Sequence, residues 1–193
     1  MRRGKDGLSY REEIWRFEAR NRQEAADQRQ MLDLLRQEAD GLLRRESMTA
    51  HFTSSALIFD PTRTRLLLVF HNQFRAWSWV GGHADGEADL LAVALREARE
   101  ETGIVQVEPL SPAIQSLDIL PVWGFEKQGQ YIPAHLHLSV GYALVAPQTQ
   151  PLTIKPDENS GVRWVDIGRL EQYVTEPYML YIYRKILERI LHG

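Results

Sequence analysis

The stretch GGHADGEADLLAVALREAREETGI, residues 81–104, decides the fold. It opens on Gly81 and Gly82, turns apolar, and ends with Glu97, Glu100 and Glu101 crowded in front of Gly103. Leu91, Ala94, Leu95 and Ala98 recur at helical spacing, so the segment behind the glycine turn is an amphipathic helix that Gly103 stops. At roughly 3.6 residues per turn, positions 97, 100 and 101 fall within about 100° of arc. All three carboxylates therefore project from one side, away from the apolar stripe. Like charges at these spacings cost roughly 0.2–0.5 kcal/mol per pair, and more when desolvated. A hard divalent cation relieves that cost. Magnesium takes oxygen ligands and keeps positions for water or substrate phosphate, which suits three carboxylates beside an open glycine loop. The plainer alternative is a solvated helix surface on which Arg96 and Glu100 form an i,i+4 ion pair.

Outward from the helix the chain alternates strands with turns. TSSALIFD (residues 53–60), the turn PTRT (61–64) and RLLLVFHN (65–72) read as a hairpin, and AWSWVGG (76–82) leads into the helix. Beyond it, IQSLDILPVWGF (114–125), the polar turn EKQGQ (126–130) and HLHLSVGYALVA (135–146) read as a second hairpin, which predicts a sheet of five or six strands. The loop PQTQPLTIKPDENSG (147–161) precedes a short strand VRWVDI (162–167), and YMLYIYRKILERILH (178–192) closes the chain as an amphipathic helix. Strands interrupted by a central helix and followed by a terminal one predict an α/β fold with a mixed sheet between helical layers.

Residues 10–46 read as two helices or one broken helix, with Ile14, Trp15, Met31, Leu34, Leu35, Leu42 and Leu43 as an apolar stripe that must be covered. The body of the protein or a second subunit, as in a homodimer, would cover it. The first 48 residues carry eleven basic and ten acidic side chains, a solvated face rather than a basic arm.

At 193 residues the chain is long enough for one full core. It has no cysteine, which excludes disulfides, thiolate metal sites and thiol nucleophiles and leaves the chemistry to carboxylates, histidines or metal. A formal charge of -3 provides no electrostatic footprint for nucleic acid. No apolar run approaches the roughly 18 residues of a spanning helix, and the first residues lack the apolar core of an export signal. The expectation is a cytoplasmic protein with no membrane and no nucleic acid among its partners.

The double glycine after a Trp-rich strand, the helix, and its Glu-Glu-x-Gly-aliphatic ending together resemble the Nudix box of the Nudix hydrolase superfamily. That box is a glycine, five residues, a glutamate, seven residues, then Arg-Glu-aliphatic-x-Glu-Glu-x-Gly-aliphatic. The resemblance falls on Gly82, Arg96, Glu97, Ala98, Glu100, Glu101, Gly103 and Ile104. One position departs: the box glutamate falls at 88, where this chain has Ala88, with Glu87 one place early as its substitute and Asp89 one place late. A further glutamate on a loop before a Trp-containing strand is also similar to the family pattern. KPDENSGVRW offers Glu158 there, with Asp157 beside it, although a solvated turn cluster is the commoner state of such residues. The resemblance spans about residues 52–167.

It implies a Nudix-like α/β/α sandwich, residues 49–193, carrying an N-terminal helical extension, residues 1–48. It further implies hydrolysis of a diphosphate linkage in a nucleoside diphosphate joined to another moiety, with magnesium or manganese as cofactor. Glu97, Glu100, Glu101 and the Gly82 carbonyl would hold the metal, Glu97 or Glu158 would take a proton from water, and Arg96 would orient the glutamates. The rival is a Nudix-like domain that binds a nucleotide or metabolite without turnover. Such domains usually lose part of the acidic cluster, whereas REAREE is complete here.

Two further features carry alternatives. His135 and His137 share one face of a strand and suit a metal or a substrate phosphate, yet two histidines satisfied beside the core are commoner, since no third ligand is evident nearby. Trp77 and Trp79 also share a face and are either core or a platform for a base.

Overall fold

The computed structural model describes residues 8–127 and 129–192. A capping box starts the N-terminal arm: the Glu12 N–H donates to the Ser9 hydroxyl, and the Ser9 N–H donates to the Glu12 carboxylate at 2.8 Å. This seeds α1 (Tyr10–Arg16), which is followed by α2 (Arg22–Glu38) and a 3-10 turn, Ala39–Leu43. Ile14, Met31, Leu35 and Leu42 are almost fully buried. Each such burial contributes roughly 1.5–3 kcal/mol. They join one core with Phe52, Ile58, Leu91 and Leu138, so the chain's own body covers the arm's stripe. Trp15 leaves that stripe and is 68% exposed, because α1 spans only seven residues and its inward side is taken by Tyr10 and Ile14.

Among the described residues eight strands form the main sheet, more than the five or six read from the sequence. In chain order they are β1 (Ala50–Phe59), β2 (Arg65–His71), β3 (Ala76–Ser78), β4 (Val80–His83), β5 (Glu108–Pro109) and β6 (Ser116–Val122). After a separate hairpin of β7 (Phe125–Lys127) and β8 (Gln130–Ile132) come β9 (His135–Val145) and β10 (Asn159–Asp166). Helix α3 (Leu90–Thr102) follows β4, and α4 (Pro177–His192) ends the chain. The parallel pair of β1 with β9 stands at the centre, and every other pairing is antiparallel, so the sheet is mixed.

One irregularity of the sheet builds the site. Strand β1 pairs with β2 only around Ile58 and Phe59; lower down, Thr53 to Ala56 pair instead with β4, while β3 pairs with β2. The chain thus wedges β3 and β4 between two splayed strands. At the break, the Trp79 N–H donates to the Tyr183 hydroxyl of α4 at 2.7 Å, which replaces the missing ladder bond.

Alternation along β1 feeds two cores. Phe52, Ala56 and Ile58 face the layer of α1, α2 and α3, whereas Leu57 and Phe59 face α4 with Ile182, Tyr183 and Ile186. The result is the expected α/β/α arrangement with helices before the sheet. Among the described residues no helix is long and apolar enough to cross a membrane.

Candidate active site

Helix α3 is set by its two ends. Asp89 caps it by accepting the Ala92 N–H at 2.9 Å, and Glu87 accepts the N–H groups of Ala88 at 2.9 Å and Asp89 at 3.1 Å. Glu87 therefore serves the helix start and lies away from the acidic cluster. Gly103 ends the helix in the left-handed conformation, φ 76°, and its N–H donates to the Arg99 carbonyl at 2.9 Å.

Strand β4 meets the far end of this helix through the two glycines. A Cβ on Gly81 would stand 2.3 Å from the Ser55 hydroxyl, and one on Gly82 would stand 2.5 Å from the Glu97 carboxyl carbon. Only glycine lets the strand lie against that carboxylate. The Gly81 N–H donates to Glu101 at 2.8 Å, and the Asn159 amide donates to the Glu101 carbonyl at 2.9 Å, which ties β10 to the helix end. Glu158 is the residue before Asn159, and its backbone carbonyl accepts from Asn72 at 2.9 Å.

Carboxylate oxygens of Glu97, Glu101 and Glu158 lie within 4.8 Å of one another. Glu97 and Glu101 are buried, four residues apart on the inward side of α3, while Glu158 reaches in from the loop. Glu100 stands outside this triangle. It is exposed at the rim, 3.2 Å from Lys155 and 3.8 Å from Arg96. The 100° arc seen in the sequence has a buried edge and a solvated one, and Glu100 occupies the solvated one. Asp157 is exposed and takes no part in the cluster.

The electrostatics are those of a site short of positive charge. Burial pushes the Glu101 carboxyl up to about 8, against the pull of the Gly81 hydrogen bond. Glu97 is raised by the same cause, although Arg96 opposes it from 2.9 Å. Partial burial works against the Lys155 ammonium, yet Glu158 at 3.0 Å and Glu100 outweigh it and hold its pKa above the ordinary value. All ligand atoms in reach are oxygens, a donor set that fits magnesium or manganese.

The tryptophans divide. Trp79 is buried in the second core against Tyr183, whereas Trp77 is half-buried between Phe70 and Tyr173, with the Arg163 guanidinium 5.5 Å above its ring.

His135 and His137 lie on β9 with 3.2 Å between their Nε2 atoms, and the sequence reading missed their neighbours. His51 of β1 and His83 of β4 join them, and ring nitrogens of His51, His83 and His137 lie within 4.8 Å of one another. Burial holds His83 down to about 4 and His137 to about 2, so both rings are neutral near pH 7. The signal available in the sequence was parity along a strand, which shows His135 beside His137 but not which strands come alongside.

The NUDIX domain family model matches residues 49–188, and the chain belongs to that family. Solved structures of the same fold include a binary complex of a C. elegans Ap4A hydrolase, 16% identical over 74% of this chain and 98% of that one, TM-score 0.55. The E. coli dihydroneopterin triphosphate pyrophosphohydrolase is 13% identical over 74% and 96%, TM-score 0.53. The NUDIX domain of Shewanella oneidensis NrtR complexed with ADP ribose is 20% identical over 72% and 87%, TM-score 0.50. At these identities the likeness is one of fold. No curated protein matches the chain.

Proposed function

We propose that the protein is a magnesium- or manganese-dependent pyrophosphohydrolase that cleaves the diphosphate linkage of a nucleoside diphosphate joined to another moiety. One observation carries this reading: Glu97, Glu101 and Glu158 bring carboxylate oxygens within 4.8 Å of one another, two of them from buried side chains, beside a glycine turn. Glu97, Glu101, Glu158 and the Gly82 carbonyl would hold the cation, with Glu100 adding its charge from the rim. When bound, it would neutralise phosphate oxygens and make an attacking water more acidic.

The chain's own residues do the rest. Arg96, 2.9 Å from Glu97, fixes that carboxylate in place by a charge-assisted hydrogen bond. Glu97 or Glu158 would take the water proton, the first held by Arg96 at 2.9 Å and the second by the Lys155 ammonium at 3.0 Å. The missing side chain at Gly82 lets the β4 backbone lie against the Glu97 carboxylate. The relatives in complex with ADP ribose or named for Ap4A support nucleoside diphosphate derivatives as the substrate class.

The test is a turnover screen with nucleoside diphosphate sugars, ADP-ribose, dinucleoside polyphosphates and nucleoside triphosphates, each with and without magnesium. Magnesium-dependent release of a nucleotide product from at least one of them is the expected result. Tight binding of one compound with no turnover would favour the sensor reading instead.

A further inference from the structure

Four imidazoles converge on the sheet face turned away from α3. His51 and His137 are register partners in the parallel pair, and His135 stands two residues before His137 on the same side of β9. His83 ends β4, on the opposite edge of β1, where its partner is Thr53. The His51 ring centroid lies 5.0 Å from that of His83, 4.8 Å from His135 and 5.0 Å from His137. Gly82 and His83 are consecutive on a strand and so face opposite sides; the Gly82 side abuts Glu97, which places the imidazoles and the carboxylates back to back across β4.

Hydrogen bonds fix how two of the rings are turned. His51 Nδ1 lies 3.0 Å from the Ser47 carbonyl, and His135 Nδ1 lies 2.8 Å from the Pro133 carbonyl. A carbonyl can only accept, so both Nδ1 atoms carry the proton, and in the neutral ring each Nε2 presents a lone pair. His51 Nε2 is buried and has no hydrogen-bond partner among the described residues. The Nδ1–H to backbone carbonyl arrangement is the one that orients metal-ligating histidines.

The chemistry of the cluster selects its ligand. An anion finds little here: the nearby Arg45 guanidinium is already held by Asp85 at 2.7 Å, whereas an imidazole whose Nδ1–H is bound to a backbone carbonyl turns its Nε2 lone pair to a cation. Zn–N bonds of roughly 2.0–2.1 Å in a tetrahedron put ligand nitrogens about 3.3 Å apart. The His135 and His137 Nε2 atoms stand at 3.2 Å, a hydrogen bond from His137 to His135 that a cation would replace, and ring nitrogens of His51, His83 and His137 lie within 4.8 Å of one another. Imidazole suits zinc and its neighbours in the transition series, whereas magnesium prefers oxygen.

We propose that His51, His83, His135 and His137 form a second metal site, separate from the acidic cluster, that takes one divalent cation of the zinc type. With four protein ligands the site is closed and therefore structural. It ties together β1, β4 and β9 and, through the Ser47 carbonyl, the segment that joins the helical arm to the sheet. The site stands independently of the hydrolase reading.

The full chain, stripped of metal by a chelator and then saturated with magnesium, is titrated calorimetrically with zinc. The expected result is one zinc per chain that magnesium does not displace, with a rise in the thermal midpoint. In His51→Gln/His137→Gln the zinc affinity should fall at least a hundredfold and the zinc-induced rise should vanish, while the magnesium-induced rise stays. Should the double variant fail to fold, His135→Gln, at the more open edge, should weaken zinc about tenfold, within the range that supporting and ligating residues show. X-ray absorption of the zinc-loaded parent should report a shell dominated by imidazole nitrogen. Zinc that magnesium displaces, unchanged affinity in the folded variants, or an oxygen-dominated shell would overturn the proposal.

Discussion

Two of the regions in which this molecule buries carboxylates differ in what balances them. Between α2, β6 and α4, Glu24 and Asp118 are fully buried, and the chain supplies two cations of its own. Lys185 lies 2.6 Å from Asp118 and 3.5 Å from Glu24, and Arg189 lies 2.8 Å from Glu24. At the end of α3, the ion pairs that Glu97, Glu100, Glu101 and Glu158 make among the described residues are with Arg96 and Lys155. With all four carboxylates ionised, two negative charges have no ion-pair partner there, and one divalent cation would supply the balance. Where protein partners balance a buried charge, the cluster holds structure together. Burial raises the carboxyls of Asp118 and Glu101 alike, Glu101 to about 8, and it is at the α3 cluster that the proposed cation would supply the balancing charge.

The largest expected effect concerns the balanced cluster as a whole. A chain beginning at Thr49 lacks Glu24 and every apolar residue the arm contributes to the first core, so it should be far less soluble and unfold at a much lower temperature. Equal heat stability and equal oligomeric state would show that the arm does not matter to the core. A narrower cut at the same comparison is Lys185→Met, which leaves Glu24 and Asp118 buried without their shared cation. Breaking a buried ion pair from one side costs about 3–5 kcal/mol, measurable by denaturant unfolding. A loss below about 1 kcal/mol, the value typical of a surface pair, would mean that the two clusters are alike.

A smaller effect follows from protonation. In the metal-free fold Glu101 titrates at about 8, well above the roughly 4.3 of an unfolded glutamate. The folded state therefore keeps a proton that the unfolded chain has released, and the stability tied to it is full below about pH 4.3 and lost as pH rises through about 8. The thermal midpoint of the metal-free chain should carry this decline across that window, and Glu101→Gln should remove it. Magnesium should flatten it as well, since a metal takes the ionised carboxylate. A Glu101→Gln variant with the parent's pH slope would place the titration elsewhere.

The strands and helices legible in the sequence are β1 with β2, the Trp-rich strand before the glycines, β6, β9, β10, α3, α4 and the arm's α2. That Trp-rich strand is broken into β3 and β4, of three and four residues, too short for the break to register, and so the wedge that brings Gly81 and Gly82 against α3 was invisible. The turn read at 126–130 also lies within a hairpin of its own, β7 with β8. Within the site, helical spacing identified the acidic side of α3 but not its buried edge, because only packing against β4 separates Glu101 from Glu100. Glu158 came from the family resemblance alone. His51 and His83 were missed because sheet register, not sequence proximity, brings them to His137.

Magnesium-dependent thermal unfolding decides whether the acidic cluster is built for a divalent cation. A ligand bound only by the fold stabilises it by about 2.7 kcal/mol at a hundredfold excess over its dissociation constant. The parent should gain on that order, while Glu97→Gln/Glu101→Gln should gain nothing and, without metal, unfold no earlier than the metal-free parent. An equal magnesium response in parent and double variant would mean that Glu97 and Glu101 are a buried structural pair and not a metal cradle.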